Sequence, residues 1–361
     1  MRKIALTTTA VAAVALMALA GCSSRADTET GTEGDGGFAA DSLIGVALPD
    51  KTSENWVLAG GLFEDAIAEA GFKGEVQYAG QSTPVPDQQA QIDAMVTNGA
   101  KVIIIGAKDG GQLGAQVAAA RESGAVVIAY DRILENTEDI DYYLAFNNFA
   151  VGQAQGQALL DGLEAKGDGP YNVELFAGSP DDPNAAVFFN GALDILQPKI
   201  DDGTLNIVSG QTEFEQVVTQ GWAPEEAQSR ADTLLQANYG STELDGVLSP
   251  NDTLARAVIT SVEQAGKPDI VITGQDSEAA SIPLIMEGKQ YMTIYKDTRR
   301  LVAAALDMVK ALAAGDEPET NAEENNKTIE VPTFYLDPVT VTAENAAEVY
   351  ADNPDLEPLT K

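Results

Sequence analysis

Charged and amide side chains follow several short apolar runs in this chain of 361 residues. In the stretch VVIAYDR, five largely apolar residues end in an adjacent acid and base, Asp131 and Arg132. Ligands of open α/β sheets bind outside the carboxyl ends of the strands. We therefore expect such side chains to meet in one cleft, although any single one could instead cap a helix or form a surface ion pair. The others that follow comparable runs are Asp109, Asp182, Asn184, Asn251, Gln275, Asp276 and Lys296.

The composition excludes several classes of catalytic site. The chain contains no histidine and a single cysteine, so a Ser–His–Asp triad, a Cys–His pair and a histidine-ligated metal are impossible. Neither a GxxxxGK[ST] loop nor a GxGxxG motif after a strand occurs. Two carboxylates could hydrolyse a glycoside, with Asp109, Asp131 and Asp276 as candidates, but each lies in a stretch more typical of binding. We expect no catalytic residue, no cofactor and no metal.

Two tryptophans complete the candidate site. Trp56 follows the first apolar run, and Trp222 precedes a helical stretch. An aromatic face can cover the apolar C–H face of a sugar ring, while charged partners bind its hydroxyls through hydrogen bonds that contribute about 1.5–3 kcal/mol each. A neutral polyol needs donors and acceptors together, whereas an anion requires excess bases and a cation an aromatic cage with acids. The alternative for either tryptophan is packing in the core.

The elements that must position these residues alternate along the chain. Apolar runs rich in β-branched residues predict strands at LIGVAL, VIII, VVIAY, NVELF, GVL, IVIT and MTIY. Strands without polar alternation that are separated by helices predict parallel sheets covered on both faces. The number of these units predicts an α/β protein with two doubly wound lobes. The helices are predicted over 88–98, 112–123, 150–164, 185–196, 223–238 and 254–265.

The N-terminal region has the pattern of an export signal. In residues 1–21, Arg2 and Lys3 precede a short apolar run. The run ends in LAGC, where Cys22 resembles the lipidated cysteine of a bacterial lipobox; the alternative is an ordinary secretory peptide. Residues 22–40 are polar and glycine-rich and predict a flexible tether. The formal charge of −35 disfavours nucleic acid and anionic headgroups as partners.

The candidate residues stand in motifs that resemble one known family. YDR, GSPDDPNA, SPND, GQD and YKDTR occur in this order and are similar to motifs of bacterial xylose-binding and multiple-monosaccharide-binding proteins. These are type I periplasmic solute-binding proteins of sugar ABC transporters. The likeness covers Leu43 to about Val341. It implies two Rossmann-like lobes with parallel sheets, joined by three hinge strands, that close on one sugar.

The same resemblance implies sugar-binding roles for individual residues. In the family an Arg–Trp pair commonly follows the first strand, and here the pair is Asn55–Trp56. This difference bears on which sugar is preferred, because it changes the charge of the site. Matched motif by motif, the sugar-binding residues are Asn55, Trp56, Asp109, Asp131, Arg132, Asp182, Asn184, Trp222, Asn251, Asp276 and Lys296.

The resemblance also implies how the chain is divided. The N-lobe is expected to contain residues 41–147 and 297–315, and the C-lobe residues 148–296 and 327–345. Residues 316–326 are expected to form an exposed loop at the third crossing between the lobes. Residues 346–361 are expected to form a C-terminal tail.

These observations lead to one functional expectation. We expect a monomeric lipoprotein, anchored on the extracytoplasmic face of the cell membrane, that captures an aldose of the xylose, glucose or galactose type. It would deliver the sugar to the permease of an ABC importer, with no nucleic-acid partner and no membrane contact beyond the lipid. The alternative is a receptor that presents bound sugar to a membrane histidine kinase.

The lipobox-like segment generates a first prediction. If Cys22 carries the lipid, Cys22→Ala should release the protein from the membrane fraction or leave it uncleaved, because no acyl chains then hold it at the bilayer. Detergent-phase partitioning of the variant and the unchanged protein measures this. Equal partitioning of the two proteins would contradict lipid anchoring.

Overall fold

The computed structural model describes residues 37–51, 53–267 and 269–361. The predicted signal segment, Cys22 and most of the predicted tether lie outside the described residues. Within the described part the chain forms thirteen strands: β1 (Leu43–Leu48), β2 (Lys73–Tyr78), β3 (Val102–Ile105), β4 (Val126–Tyr130), β5 (Tyr142–Phe146), β6 (Tyr171–Leu175), β7 (Leu205–Ile207), β8 (Gly246–Leu248), β9 (Val271–Ile272), β10 (Met292–Tyr295), β11 (Ala322–Asn325), β12 (Glu330–Leu336) and β13 (Val339–Thr342).

Helices connect most of these strands. Single turns of 3-10 helix occupy Gln220–Trp222 and Glu357–Thr360. In the described ranges, every helix is too short or too polar to cross a lipid bilayer. The α-helices in these ranges are α1 (Glu54–Glu69), α2 (Pro84–Thr97), α3 (Gly114–Glu122), α4 (Asn148–Lys166), α5 (Pro183–Asp201), α6 (Phe214–Val217), α7 (Pro224–Asn238), α8 (Asp252–Gln264), α9 (Ile282–Met286), α10 (Thr298–Ala314) and α11 (Ala346–Val349).

The larger sheet organises the N-lobe. Its seven strands have the order β11-β12-β5-β4-β3-β1-β2, and all neighbours are parallel except β11 and β12. Successive apolar residues of β3 face opposite sides, because side chains alternate along a strand. Ile103 and Ile105 pack in the cluster that contains residues of α2 and α3, whereas Val102 and Ile104 pack with residues of α1 and α10. Both faces of the sheet are therefore covered, as the run VIII predicts.

The C-lobe is built on a parallel sheet of four strands in the order β7-β6-β8-β9. Apolar residues of α4 and α5 pack on one side of it, and those of α7 and α8 pack on the other. α4 and α5 approach closely at glycines: a Cβ atom at Gly152 would lie 2.0 Å from the carbonyl oxygen of Phe188. The predicted fold class, two Rossmann-like lobes with parallel sheets, is confirmed.

The chain passes between the lobes three times. β5 of the larger sheet leads directly into α4 of the C-lobe. β10, which packs with residues of α4, leads back into α10, whose Leu301 and Val302 pack beside β1. Finally, β12 pairs with β5 while β13 pairs antiparallel with β10. The third crossing therefore falls at residues 337–338.

The division expected for the C-terminal third differs from the structure. Residues 316–326 were expected to be a crossing loop, but β11 lies within them and pairs with β12. Residues 327–345 were expected in the C-lobe, whereas β12 joins the larger sheet beside β5. The physical reason is the alternation at the start of β12, where Val331 and Thr333 are buried while Glu330 and Pro332 are exposed. That period of two fits a strand near a sheet edge, and the resemblance alone did not locate it.

All seven predicted strands and all six predicted helices are present. The run IVIT is reduced to the two residues of β9. β2 was missed because its sequence, KGEVQY, is mostly polar, and burial is correspondingly incomplete along it. β5 was missed because its run, YYLAF, follows β4 without an intervening helix.

Candidate ligand-binding site between the lobes

Residues that directly follow strands of both lobes line one cavity. They come from the ends of β1, β3 and β4 in the N-lobe and of β8, β9 and β10 in the C-lobe. This arrangement is the one that parallel sheets provide, because their carboxyl ends open on the same side. Ten of the eleven predicted site residues line the cavity: Asn55, Trp56, Asp131, Arg132, Asp182, Asn184, Trp222, Asn251, Asp276 and Lys296.

The eleventh predicted residue, Asp109, is not among the residues that line the cavity. Its carboxylate accepts hydrogen bonds from the backbone N–H of Gly111 and from the side-chain amide of Gln112. Asp109 thus shapes its own turn, as acids at turn positions commonly do. The preceding residue, Lys108, lines the cavity in its place.

Asp131 occupies a strained turn at the end of β4. Its φ of 64° lies in the left-handed region, which residues other than glycine rarely adopt unless their surroundings hold them there. Here the Asp131 N–H donates to the carbonyl of Leu144 at 2.8 Å. The Asp131 carbonyl accepts from the Tyr143 hydroxyl and from the side-chain amide of Asn184, both at 2.9 Å. Because Asn184 belongs to the C-lobe, this turn is fixed by both lobes.

Arg132 forms an ion pair across the cleft. One guanidinium nitrogen lies 2.8 Å from Oδ2 of Asp182 in the C-lobe, and another donates to the carbonyl of Ala107 at 3.2 Å. The guanidinium carbon lies 5.5 Å from the ring centroid of Trp56, within the range of a cation–π contact. The same Asp182 oxygen accepts from the indole N–H of Trp222 at 3.1 Å. The pair therefore links the two tryptophans, one from each lobe.

A second ion pair lies on the C-lobe side. The Lys296 ammonium is 3.1 Å from Oδ1 of Asp276 and 5.3 Å from the ring centroid of Phe188. Asp276 follows β9 and has a φ of 96°. Its N–H donates to the carbonyl of Ile294 at 2.8 Å, which anchors this turn to β10. The two members of the pair are thus held by adjacent backbone segments.

Glycines at two strand ends make room for the tryptophan rings. A Cβ atom at Gly178 would lie 2.2 Å from Cη2 of Trp222, and one at Gly106 would lie 2.9 Å from Cζ3 of Trp56. Cβ atoms do not approach other heavy atoms this closely, since interiors are close-packed without overlap. Each ring therefore lies close against backbone that lacks a side chain.

The charges of the cavity oppose one another. Burial raises the pKa of Asp131 above its usual range, and Asp182 and Asp276 act in the same direction, whereas Lys296 and Arg132 act against it. Burial disfavours the charged form of Lys296, but the carboxylates of Asp276, Asp131 and Asp182 outweigh it and raise the pKa of this lysine. Lys296 consequently stays protonated and keeps hydrogen-bond donors in the cavity.

Two predicted amides also have local structural roles. Oδ1 of Asn251 accepts from the N–H of Leu254 at 2.9 Å and caps α8, which leaves its NH₂ group as the donor available to a ligand. The N–H of Asn55 donates to Oγ of Ser53, the N-cap of α1, at 3.3 Å. Both side chains line the cavity.

The sequence interpretation missed several polar and aromatic residues of the cavity. Asp50 and Lys108 follow β1 and β3 and form an ion pair at 3.0 Å. Gln275 was noted after its strand but given no role, and its buried Oε1 accepts no hydrogen bond from the described residues. Phe188 lies one turn after Asn184 on α5. The strand-end rule could have found Asp50 and Lys108, whereas nothing in the sequence distinguishes Phe188 from a core residue.

Comparison with known proteins is consistent with this geometry. The chain is 41% identical to the multiple sugar-binding periplasmic receptor ChvE of Rhizobium radiobacter, over 87% of this chain and 91% of that protein. It is 33% identical to the D-xylose-binding periplasmic protein of Escherichia coli, over 85% and 88%. A solved ABC transporter solute-binding protein from Clostridium phytofermentans with bound β-D-glucose shares 36% identity and a TM-score of 0.82, covering 89% of this chain and all of the other.

The family is also matched directly. Residues 44–317 match the periplasmic binding protein domain, which covers both lobes and the strand ends that line the cavity. The chain therefore belongs to the periplasmic binding protein family, and its resemblance to the sugar-binding branch, noted in the sequence, is confirmed.

The close contact between Trp222 and Gly178 generates a second prediction. Gly178→Ala should displace the indole ring, because the new Cβ would overlap it, and should lower the free energy of unfolding by about 1–3 kcal/mol, as overpacking typically does. Denaturant unfolding measures the stability, and indole emission in a Trp56→Phe background reports the environment of Trp222. Gly240→Ala is the matched control, since no heavy atom lies within 4 Å of the added Cβ. Identical emission and stability in both alanine variants would contradict this account.

Proposed function

We propose that this chain is the monosaccharide-binding component of a sugar ABC importer and captures an aldose of the xylose, glucose or galactose type. The observation that carries the proposal is the cavity itself, in which opposed acids, bases and amides from both lobes meet two tryptophan rings. The family membership and the sugars named for its relatives support it. The chain is proposed to act outside the cytoplasm, as the periplasmic relatives do.

The charge pattern favours a neutral, hydroxyl-rich ligand. The carboxylates of Asp182 and Asp276 are each paired with a cation within 3.1 Å, so neither sign is left in large excess. Paired carboxylates keep lone pairs that accept from hydroxyls, and the paired cations keep N–H groups that donate to them. Trp56 and Trp222 supply the apolar faces on which a sugar ring can stack. The charged groups that could pair with an anion or a cation, Arg132 with Asp182 and Lys296 with Asp276, are already paired with each other.

The mechanism follows from the contacts between the lobes. Arg132 with Asp182, and Asn184 with the Asp131 carbonyl, join the lobes directly. A sugar that touches side chains of both lobes interacts fully only when they are close, so it favours the closed arrangement by its differential contacts. This is the hinge closure for which periplasmic binding proteins are a standard example. The permease would then recognise the closed form.

Catalysis is not part of the proposal. The site is proposed to bind the hydroxyls of a sugar, and the carboxylates of Asp182 and Asp276 are held in ion pairs. Lipid anchoring through Cys22 is proposed from the lipobox-like sequence, and a monomer is proposed because one chain supplies both lobes of the cavity. The same closed form could also be presented to a membrane histidine kinase; loss of sugar uptake in a strain that lacks this chain would favour transport.

The third prediction tests the Asp131–Arg132 pair. Arg132→Ala should weaken sugar binding by about 2–5 kcal/mol, because it removes donors and leaves Asp182 buried without its cation. Asp131→Asn should also weaken binding, since asparagine tolerates the left-handed turn but loses the charge. Titration calorimetry against xylose, glucose and galactose measures both effects.

The controls are matched by residue type. Arg300→Ala and Asp161→Asn change an exposed arginine and an exposed aspartate outside the cavity and should leave the affinity unchanged. If Arg132→Ala and Asp131→Asn bind sugar as tightly as these controls, then Asp131 and Arg132 have only a structural role. No binding of any of the three sugars by the unchanged protein would overturn the proposed function.

The fourth prediction concerns sugar preference. Asn55→Arg should change the ranking of xylose, glucose and galactose by about tenfold, or about 1.4 kcal/mol, because it adds a cation to a cavity that already contains Lys108, Arg132 and Lys296. Specificity is a difference between affinities, so one new donor does not act equally on all three sugars. Calorimetry of both proteins measures the ranking. Equal shifts for every sugar would mean that residue 55 affects closure in general.

A further inference from the structure

Residues 346–361, here called the C-terminal segment, lie against the C-lobe behind the cavity. α11 and the final 3-10 turn contribute Ala346, Tyr350 and Leu356 to a buried cluster. The same cluster contains Ile282 of α9 and Tyr295 of β10. Tyr350 is fully buried. None of these residues lines the cavity.

The first contact of the segment reaches the residue after Asp276. The Tyr350 hydroxyl donates to Oγ of Ser277 at 2.7 Å. Ser277 has a φ of 51° and Asp276 a φ of 96°. Two consecutive residues other than glycine in the left-handed region persist only when surrounding contacts hold them. The N–H of Ser277 donates to Oγ1 of Thr293 at 3.1 Å, so the side chains of Tyr350 and Thr293 both hold Ser277.

The second contact reaches the residue before Lys296. The rings of Tyr295 and Tyr350 meet edge to face, with centroids 5.2 Å apart. The side-chain amide of Asn353 donates to the Tyr295 hydroxyl at 3.0 Å. The C-terminal segment therefore holds a neighbour of each member of the Asp276–Lys296 ion pair.

A third contact reaches the crossing into the N-lobe. Arg299, in the first turn of α10, donates to the carbonyl of Asp352 at 2.8 Å and to its carboxylate at 3.2 Å. Arg299 also donates to the Tyr295 hydroxyl at 3.1 Å. Because α10 packs against the N-lobe, the segment contacts both sides of this crossing.

We propose that the C-terminal segment is a positioning element of the ligand cavity, with Tyr350 as the positioning residue that acts through Ser277 on Asp276. This inference rests on the proposed function, since it explains how one ion pair of the sugar site keeps its geometry. Tyr350 does not itself line the cavity. A purely structural tyrosine would contribute to stability alone, whereas a positioning residue also contributes to sugar affinity.

The test is Tyr350→Phe, which keeps the ring contact with Tyr295 and removes only the hydroxyl. Titration calorimetry should show sugar affinity reduced about three- to tenfold, the loss that one net hydrogen bond corresponds to. Tyr239→Phe is the matched control: its hydroxyl is also buried in the C-lobe and donates to Glu174 at 2.7 Å, away from the cavity. It should lower the thermal unfolding temperature and leave the affinity unchanged.

A double-mutant cycle with Ser277→Ala separates positioning from stability. If Tyr350 acts through Ser277, Tyr350→Phe should cause no further loss of affinity once the Ser277 hydroxyl is gone. The inference would be overturned if Tyr350→Phe left the sugar affinity unchanged. It would also be overturned if Tyr350→Phe reduced the affinity as much in the Ser277→Ala background as in the unchanged protein. The unchanged protein is titrated first: absence of sugar binding there overturns the proposed function and this inference together, whereas binding that Tyr350→Phe leaves intact overturns this inference alone.

Discussion

The ion pair between Arg132 and Asp182 is the interaction on which the rest of the site depends. It crosses the cleft at 2.8 Å, and both residues are buried. A buried charge without its partner is costly, commonly about 3–5 kcal/mol, so each lobe carries a group that is fully compensated only when the other lobe is near. The same pair orients Trp222 through Asp182 and lies beside the ring of Trp56.

Other acids of the cavity are also paired with a nearby cation. Asp276 is held against Lys296 and Asp50 against Lys108, so these two acids, like Asp182, enter the cavity already paired. This explains how a chain with a formal charge of −35 can contain a cavity suited to an uncharged ligand. The surface charge and the cavity charge are separate properties, since screening by salt weakens the former far more than the latter.

Much of this organisation could be predicted from the sequence. The runs LIGVAL, VIII and VVIAY are buried on both faces, and that property alone indicates parallel strands with ligand-facing carboxyl ends. The sequence did not distinguish Asp109 from Lys108, the residue that lines the cavity, because neighbouring residues after a strand have the same sequence context. The sheet that β12 joins and the contacts of Tyr350 could not be predicted, since they depend on contacts between segments that lie far apart in the sequence. Local periodicity indicates that a strand forms, but it does not identify the partner strand.

The glycines beneath the two tryptophan rings have a thermodynamic consequence. With Gly178 and Gly106 beneath them, and with the Trp222 indole N–H bonded to Asp182, the rings are confined before any ligand arrives. Side chains that become ordered on binding commonly cost about 0.5–1.5 kcal/mol each in lost rotamer freedom. Here that ordering occurs during folding, so a ligand that stacks on the rings meets surfaces whose conformational entropy is already low.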